Sequence, residues 1–229
     1  QWTGPDNFQS DKLIIENLKP GKYNLTIEDE GGSLLEQEFT VIEPEIISIQ
    51  TIKEKNISCY GKKDGEIILN ISGGNGGYVY KWTRNEVDFD NSQNLVNIPA
   101  GNYNISVTDS NNCEPATQDY TLTQPDPLNI ELINITHNLC AGDSNGSIEI
   151  NVTGGTPKEI QAGIFGYTYL WTGPNGFFSK NNNISNLTSG IYSLNVTDNS
   201  GCSTDLDFTI EEPDRLVALA TKTDVSCYE

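Results

Sequence analysis

Methionine is absent from the 229 residues, and histidine occurs once, as His137. With no second histidine and no Cys-x-x-Cys pair, a zinc site lacks its usual ligand set. Nucleophilic catalysis by Ser or Cys normally needs a neighbouring base, and His137 has no counterpart in the repeats described below. Cations are scarce as well: 13 Lys and Arg stand against 32 Asp and Glu, for a formal net charge of −19. Nucleic acid is excluded as a partner, because phosphate binding needs clustered Lys and Arg. No apolar run approaches the roughly 18 residues of a membrane span, so no membrane insertion is expected. No stretch carries the period of an amphipathic helix, and none is expected to be a signal peptide.

What the sequence does have is repetition. Asn17–Asp29, Asn97–Asp109 and Asn186–Asp198 share an aliphatic residue, a Gly three positions later, a Tyr two after that and an Asp six further on. Fixed offsets at a period of about 80 to 90 residues mark a tandem array. Gly21, Gly101 and Gly190 permit a backbone bend that a Cβ would resist. Tyr192, Leu194 and Val196 then alternate with polar residues, the signature of a strand with one buried face. Tyr23, Tyr103 and Tyr192 match the tyrosine corner of immunoglobulin-like sandwiches, in which the ring is buried and the hydroxyl bonds back to the chain. Trp82 and Trp171 fall on the strand that follows each Gly-Gly pair and are the expected core anchors.

The expected architecture is all-β: tandem immunoglobulin-like β-sandwich repeats of about seven short strands each. The domains are residues 1–47, the back half of a repeat; 48–129, a whole repeat; 130–217, a whole repeat with a loop insertion near 157–165; and 218–229, the start of another. Because both ends fall within a repeat, the sequence reads as an excerpt from a longer protein. Pro44, Pro125 and Pro213 close successive units, and links this short predict a semi-rigid rod.

Cys59 precedes Cys113 by 54 positions, and Cys140 precedes Cys202 by 62. The extra eight match the longer Gly-Gly to Trp segment of the second whole repeat. The expected bonds are therefore Cys59–Cys113 and Cys140–Cys202, one inside each repeat, with the partner of Cys227 beyond the chain. Each loop would contribute roughly 4 kcal/mol in the chain-entropy model. Such bonds imply an oxidising, extracytoplasmic setting.

The segments Cys-x-Gly, Gly-Gly, Tyr-x-Tyr-x-Trp-Thr-Gly-Pro-Asn-Gly-Phe, Leu-x-x-Gly-x-Tyr and Glu-Pro together resemble the SprB repeat, over essentially the whole chain. The resemblance runs through Cys59-Tyr-Gly61 with Asp64-Gly65, and through Cys140-Ala-Gly142 with Asn145-Gly146. It implies a large cell-surface adhesin of gliding Bacteroidota, outer-membrane associated and exported by the type IX secretion system. The implied partners are neighbouring repeats, the secretion and gliding machinery acting through other regions, and surface polysaccharides.

Acidity has two readings, solubility with suppressed edge-to-edge association, or recruitment of divalent cations. Calcium is the one cofactor considered. Asp64, Asp109 and Asp198 are its weak candidates, since hard oxygen ligands could converge at the junctions. The plainer reading has them bond turn amides. The expected function is a non-catalytic stalk of an adhesin filament. The alternative is a carbohydrate-binding accessory module of a type IX-secreted enzyme.

Overall fold

Along Gly101–Thr108, Gly146–Thr153 and Gly190–Thr197, where apolar and polar residues alternate, the backbone is extended and one side is buried. The structure, a computed structural model, describes residues 1–111, 113–162 and 164–224. Among these it is all-β apart from two short 3-10 turns, Pro5–Asn7 and Pro174–Gly176. Cys227 lies outside the described residues.

The N-terminal fragment is one sheet, ordered β2-β1-β3-β4. Its strands are β1 (Trp2–Gly4), β2 (Phe8–Ser10), β3 (Gly21–Glu28) and β4 (Leu34–Val41). The first whole repeat contributes β5 (Ser48–Lys55), β6 (Gly65–Ser72), β7 (Val79–Arg84), β8 (Val87–Asp90), β9 (Leu95–Ile98), β10 (Gly101–Thr108) and β11 (Ala116–Leu122). These form two sheets, β5-β6-β9 and β11-β10-β7-β8. The second whole repeat contributes β12 (Asn129–Thr136), β13 (Gly146–Thr153), β14 (Lys158–Gln161), β15 (Ile164–Gly166), β16 (Thr168–Gly173), β17 (Phe177–Ser179), β18 (Ile184–Leu187), β19 (Gly190–Thr197) and β20 (Ser203–Ile210). Its sheets are β12-β13-β18 and β17-β16-β19-β20, and the insertion makes a separate hairpin, β14-β15. In the second repeat three strands face four, with β17 beside β16 in the larger sheet, an immunoglobulin-like sandwich.

By contact density the chain divides into two units. One holds 1–52, 68–93 and 103–119, and the other 53–67, 94–102 and 120–229. The division runs through the first whole repeat. The linker at residues 43–47, with the turns it meets, lies in the first unit, and the linker at 124–128 lies in the second.

The core of the second repeat is complete within its unit. Ile148 and Ile150 from one sheet meet Trp171, Tyr192, Leu194, Val196, Phe208 and Ile210 from the other. Trp171 is fully buried, and its indole N–H donates to the Asn181 carbonyl at 3.1 Å. Trp82 is buried likewise and donates to the Ser92 carbonyl at 2.9 Å. Tyr23, Tyr103 and Tyr192 are all buried. The Tyr23 hydroxyl donates to the Lys19 carbonyl at 2.9 Å and the Tyr192 hydroxyl to Thr188 at 3.0 Å, each four residues back.

The Asn that opens each copy of the repeated stretch has a role the alternation does not reveal. Asn17, Asn97 and Asn186 sit at φ of 57°, 56° and 60°, the left-handed region that Asn tolerates better than most residues. In the first repeat Asn85 and Glu86 also take positive φ, giving the primed hairpin turn between β7 and β8 where the other units have Gly-Pro.

The corner bond should be measurable. Tyr192→Phe is expected to lower stability by about 1 kcal/mol, against about 3–5 kcal/mol for Trp171→Ala. Urea denaturation followed by tryptophan fluorescence checks the first, and circular dichroism the second. An unmoved midpoint for Tyr192→Phe would remove the corner from the account of stability.

Candidate functional site at the junctions between repeats

Short linkers bring a Gly-Gly turn of each repeat against the chain that precedes it. At the first junction the Gly74 amide donates to the Glu45 carbonyl at 2.6 Å. At the second, the Gly155 amide donates to Asp126 at 2.9 Å. The approach is so close that a Cβ on Gly73 would stand 2.0 Å from the Ile46 carbonyl oxygen, and one on Gly154 2.0 Å from that of Pro127. All four glycines also have positive φ. Here glycine is required by space and by backbone together.

A buried aspartate locks each Gly-Gly turn to the turn that closes the tyrosine strand. Asp198 accepts the Thr156 amide at 2.8 Å and hydroxyl at 3.0 Å on Oδ2, and the Ser200 and Cys202 amides at 2.9 Å each on Oδ1. Asp109 accepts Asn75 at 3.1 Å on Oδ2, with Asn111 at 3.0 Å and Cys113 at 3.2 Å on Oδ1. Asp29 repeats half of this, accepting the Gly31 and Ser33 amides at 2.9 and 2.8 Å. Burial pushes the Asp198 carboxyl up, but the donors of Thr156, Cys202 and Ser200 outweigh it and hold the group below its usual range. The Asn75 amide is the largest influence on Asp109, which is also held low.

These bonds describe the calcium candidates. Asp109 and Asp198 turn both oxygens toward N–H and O–H donors, the opposite of what a cation would meet. Asp64 accepts the Ser58 amide at 3.0 Å and pairs with Lys55 at 3.4 Å. The Ser58 donors hold its carboxyl down at about 2. Among the described residues no three His, Cys, Asp or Glu side chains gather as a metal site. His137 accepts the Glu211 amide through Nδ1 at 3.1 Å, the place that Asn56 fills for Thr123 at 2.7 Å.

The cysteines differ from the sequence expectation. Cys59 is bonded to Cys202, with Cα atoms 5.7 Å apart, so the bond joins two repeats instead of closing one. Neither Cys59–Cys113 nor Cys140–Cys202 forms, and Cys113 and Cys140 are exposed thiols. Strand length is the reason. Cys140 precedes β13, whose first residue, Gly146, pairs with Leu187 just before β19 begins. Cys202 follows the far end of β19. Eight residues of strand at about 3.3 Å each place roughly 25 Å between those ends, whereas a disulfide spans less than 7 Å between Cα atoms. The β10 strand of the first repeat has the same eight residues before Cys113. The sequence separation of the observed bond is 143, which in the chain-entropy model corresponds to about 5 kcal/mol. The Cys113 thiol is raised, by desolvation first and then by the Asp109 carboxylate, which lowers its thiolate fraction and its reactivity.

Both cysteine turns are built alike. The Lys62 amide donates to the Cys59 carbonyl and the Asp143 amide to that of Cys140, each at 3.1 Å. Gln124 Oε1 accepts the Gly61 amide at 2.9 Å, and Glu212 Oε2 accepts the Gly142 amide at 2.8 Å. The residue before each closing proline thus holds the cysteine turn, a link that spacing alone does not reveal.

The family model of the SprB repeat matches residues 51–87 and 132–176. No curated protein matches the chain. Among solved structures, the chain is similar to the three N-terminal domains of the Hoc capsid protein of bacteriophage RB49. Identity is 14%, 72% of this chain and 58% of that one are covered, and the TM-score is 0.40. It is similar to the titin I-band fragment I67-I69 at 14% identity, with 88% and 77% covered and a TM-score of 0.41. For the insect immune protein hemolin the figures are 12%, 92%, 61% and 0.37.

Two outcomes are expected. Gly154→Ala and Gly201→Ala both strain a positive φ, but only the former meets a neighbour, since nothing lies within 4 Å of Gly201. Gly154→Ala alone should reduce the fraction of Cys59–Cys202 formed on oxidative refolding, read by thiol titration; equal losses would count against the junction contact. Asp64, depressed to about 2, adds stability that is present above about pH 4, near the unfolded carboxylate value, and is lost as pH falls toward 2. Asp64→Asn should therefore flatten the loss of stability over that window in acid titrations of the unfolding midpoint.

Proposed function

We propose that this chain, which carries two SprB repeats, is a load-bearing spacer in the stalk of a cell-surface adhesin. The observation that carries this reading is the Cys59–Cys202 bond across a junction. Tension entering along β5 reaches Cys59 and leaves through Cys202 into β20, so residues 60–201 stand outside the covalent load path. Strands β12 to β19 of the second repeat, which lie between the two cysteines, are then shielded from direct force, and of that repeat's strands β20 alone carries it. The two junctions share their Gly-Gly contact and their carboxylate lock, as a structure propagated by neighbouring repeats requires. In this reading the chain has no catalytic role. Export by type IX secretion, a place at the outer membrane and service in gliding follow from the SprB resemblance, and contact with polysaccharide would belong to other parts of the adhesin.

A second reading, carbohydrate binding, is favoured by exposed aromatic faces at Tyr60 and Phe178. Glycan-array binding lost on Tyr60→Ala or Phe178→Ala would support it over the spacer.

Single-molecule pulling tests the spacer directly. Stretched from its ends without reductant, the chain should fall short of its reduced contour length by roughly 50 nm, the extended length of the 143-residue separation. Full extension without reductant would overturn the shielded load path.

A further inference from the structure

We infer that Cys113 and Cys140 are the two open halves of the same inter-repeat bond: Cys113 takes the Cys-x-Gly turn of an SprB repeat preceding it in the polypeptide, and Cys140 takes the later cysteine of the repeat that follows. The bonded junction supplies the comparison. The Cys59–Cys202 bond lies in a cleft lined by Lys62, Asp126, Leu128 and Gly155. Three of these walls recur around Cys113, with Glu45, Ile47 and Gly74 in the places of Asp126, Leu128 and Gly155, and the thiol is exposed. The carboxylate that receives the Cys202 amide has its equal in the one that receives the Cys113 amide. On the other side, the Cys140 turn carries the same carbonyl and side-chain hydrogen bonds as the Cys59 turn. Each cysteine is thus set as in the bonded pair, and its own repeat offers no partner within reach because the strand separates the two ends.

Bond formation removes two protons and two electrons from each thiol pair. They pass by thiol–disulfide exchange to a disulfide-bearing oxidant of the extracytoplasmic space, whose own S–S bond becomes two thiols. The consequence is topological. Because each bond skips from the first cysteine of one repeat to the second cysteine of the next, successive covalent loops overlap. An array so bonded carries two interleaved covalent tracks, and cutting one leaves the other continuous. The inference rests on repeat geometry and not on what the adhesin binds.

The test is disulfide mapping of the full-length secreted protein, with thiols blocked before cell disruption and peptides analysed unreduced by mass spectrometry. The Cys113 peptide should be joined to a Cys-x-Gly peptide, and the Cys140 peptide to one whose cysteine lies four residues after an Asp. Free Cys113 or Cys140, a bond between them, a bond within either repeat, or covalent dimers through them would overturn the proposal. In the 229-residue chain, Cys59→Ser should leave Cys140 and Cys202 both open to alkylation, and Cys202→Ser should leave Cys59 and Cys113 so. A Cys140–Cys202 or Cys59–Cys113 bond in either variant would also overturn it. Failure of the mapping would leave the pulling result for Cys59–Cys202 standing, which separates this inference from the spacer reading.

Discussion

A single backbone hydrogen bond at each junction, from the second glycine of a Gly-Gly turn to a linker carbonyl, sets how closely one repeat follows the next. It forms only because neither glycine carries a Cβ, and a carbonyl oxygen occupies the space where the first would place one. The buried aspartate then ties that turn to the turn beyond the tyrosine strand. The cysteine amide is one of its donors, so the lock that orders the junction also positions the sulfur. Asp29, with Ser33 in the cysteine's place, keeps the same turn, which shows that the carboxylate organises it without the disulfide.

This economy explains the acidic composition in part. Three of the acidic groups are structural acceptors, and their hydrogen bonds hold each of them below the ordinary carboxylate range. The charges stay ionised at neutral pH because amide donors favour the charged form.

Placing the covalent bond across the junction changes what the bond is for. A staple within one repeat would stabilise that repeat alone. A staple between repeats couples the folding of one to the position of its neighbour, and tension applied to the chain ends would bypass the residues between the two cysteines. The closing Gln124 and Glu212, which hold the cysteine turns, lie one residue before the linker prolines, so linker and cysteine are positioned together.

The sequence by itself determined the strands, the buried faces, the tyrosine corners and the tryptophan anchors. These depend on local alternation and on fixed short offsets, and Tyr23, Trp82, Tyr103, Trp171 and Tyr192 are all buried as that pattern requires. It also carried the Gly-Gly turns and the closing prolines, though not what they touch. Only the tertiary structure decided the partner of each cysteine. In a tandem array the interval from a first cysteine to a second is the same evidence for pairing within a repeat or between neighbours. The choice falls to the eight residues of strand that hold the two turns of one repeat at opposite ends of its sandwich and bring the turn of the next into bonding distance.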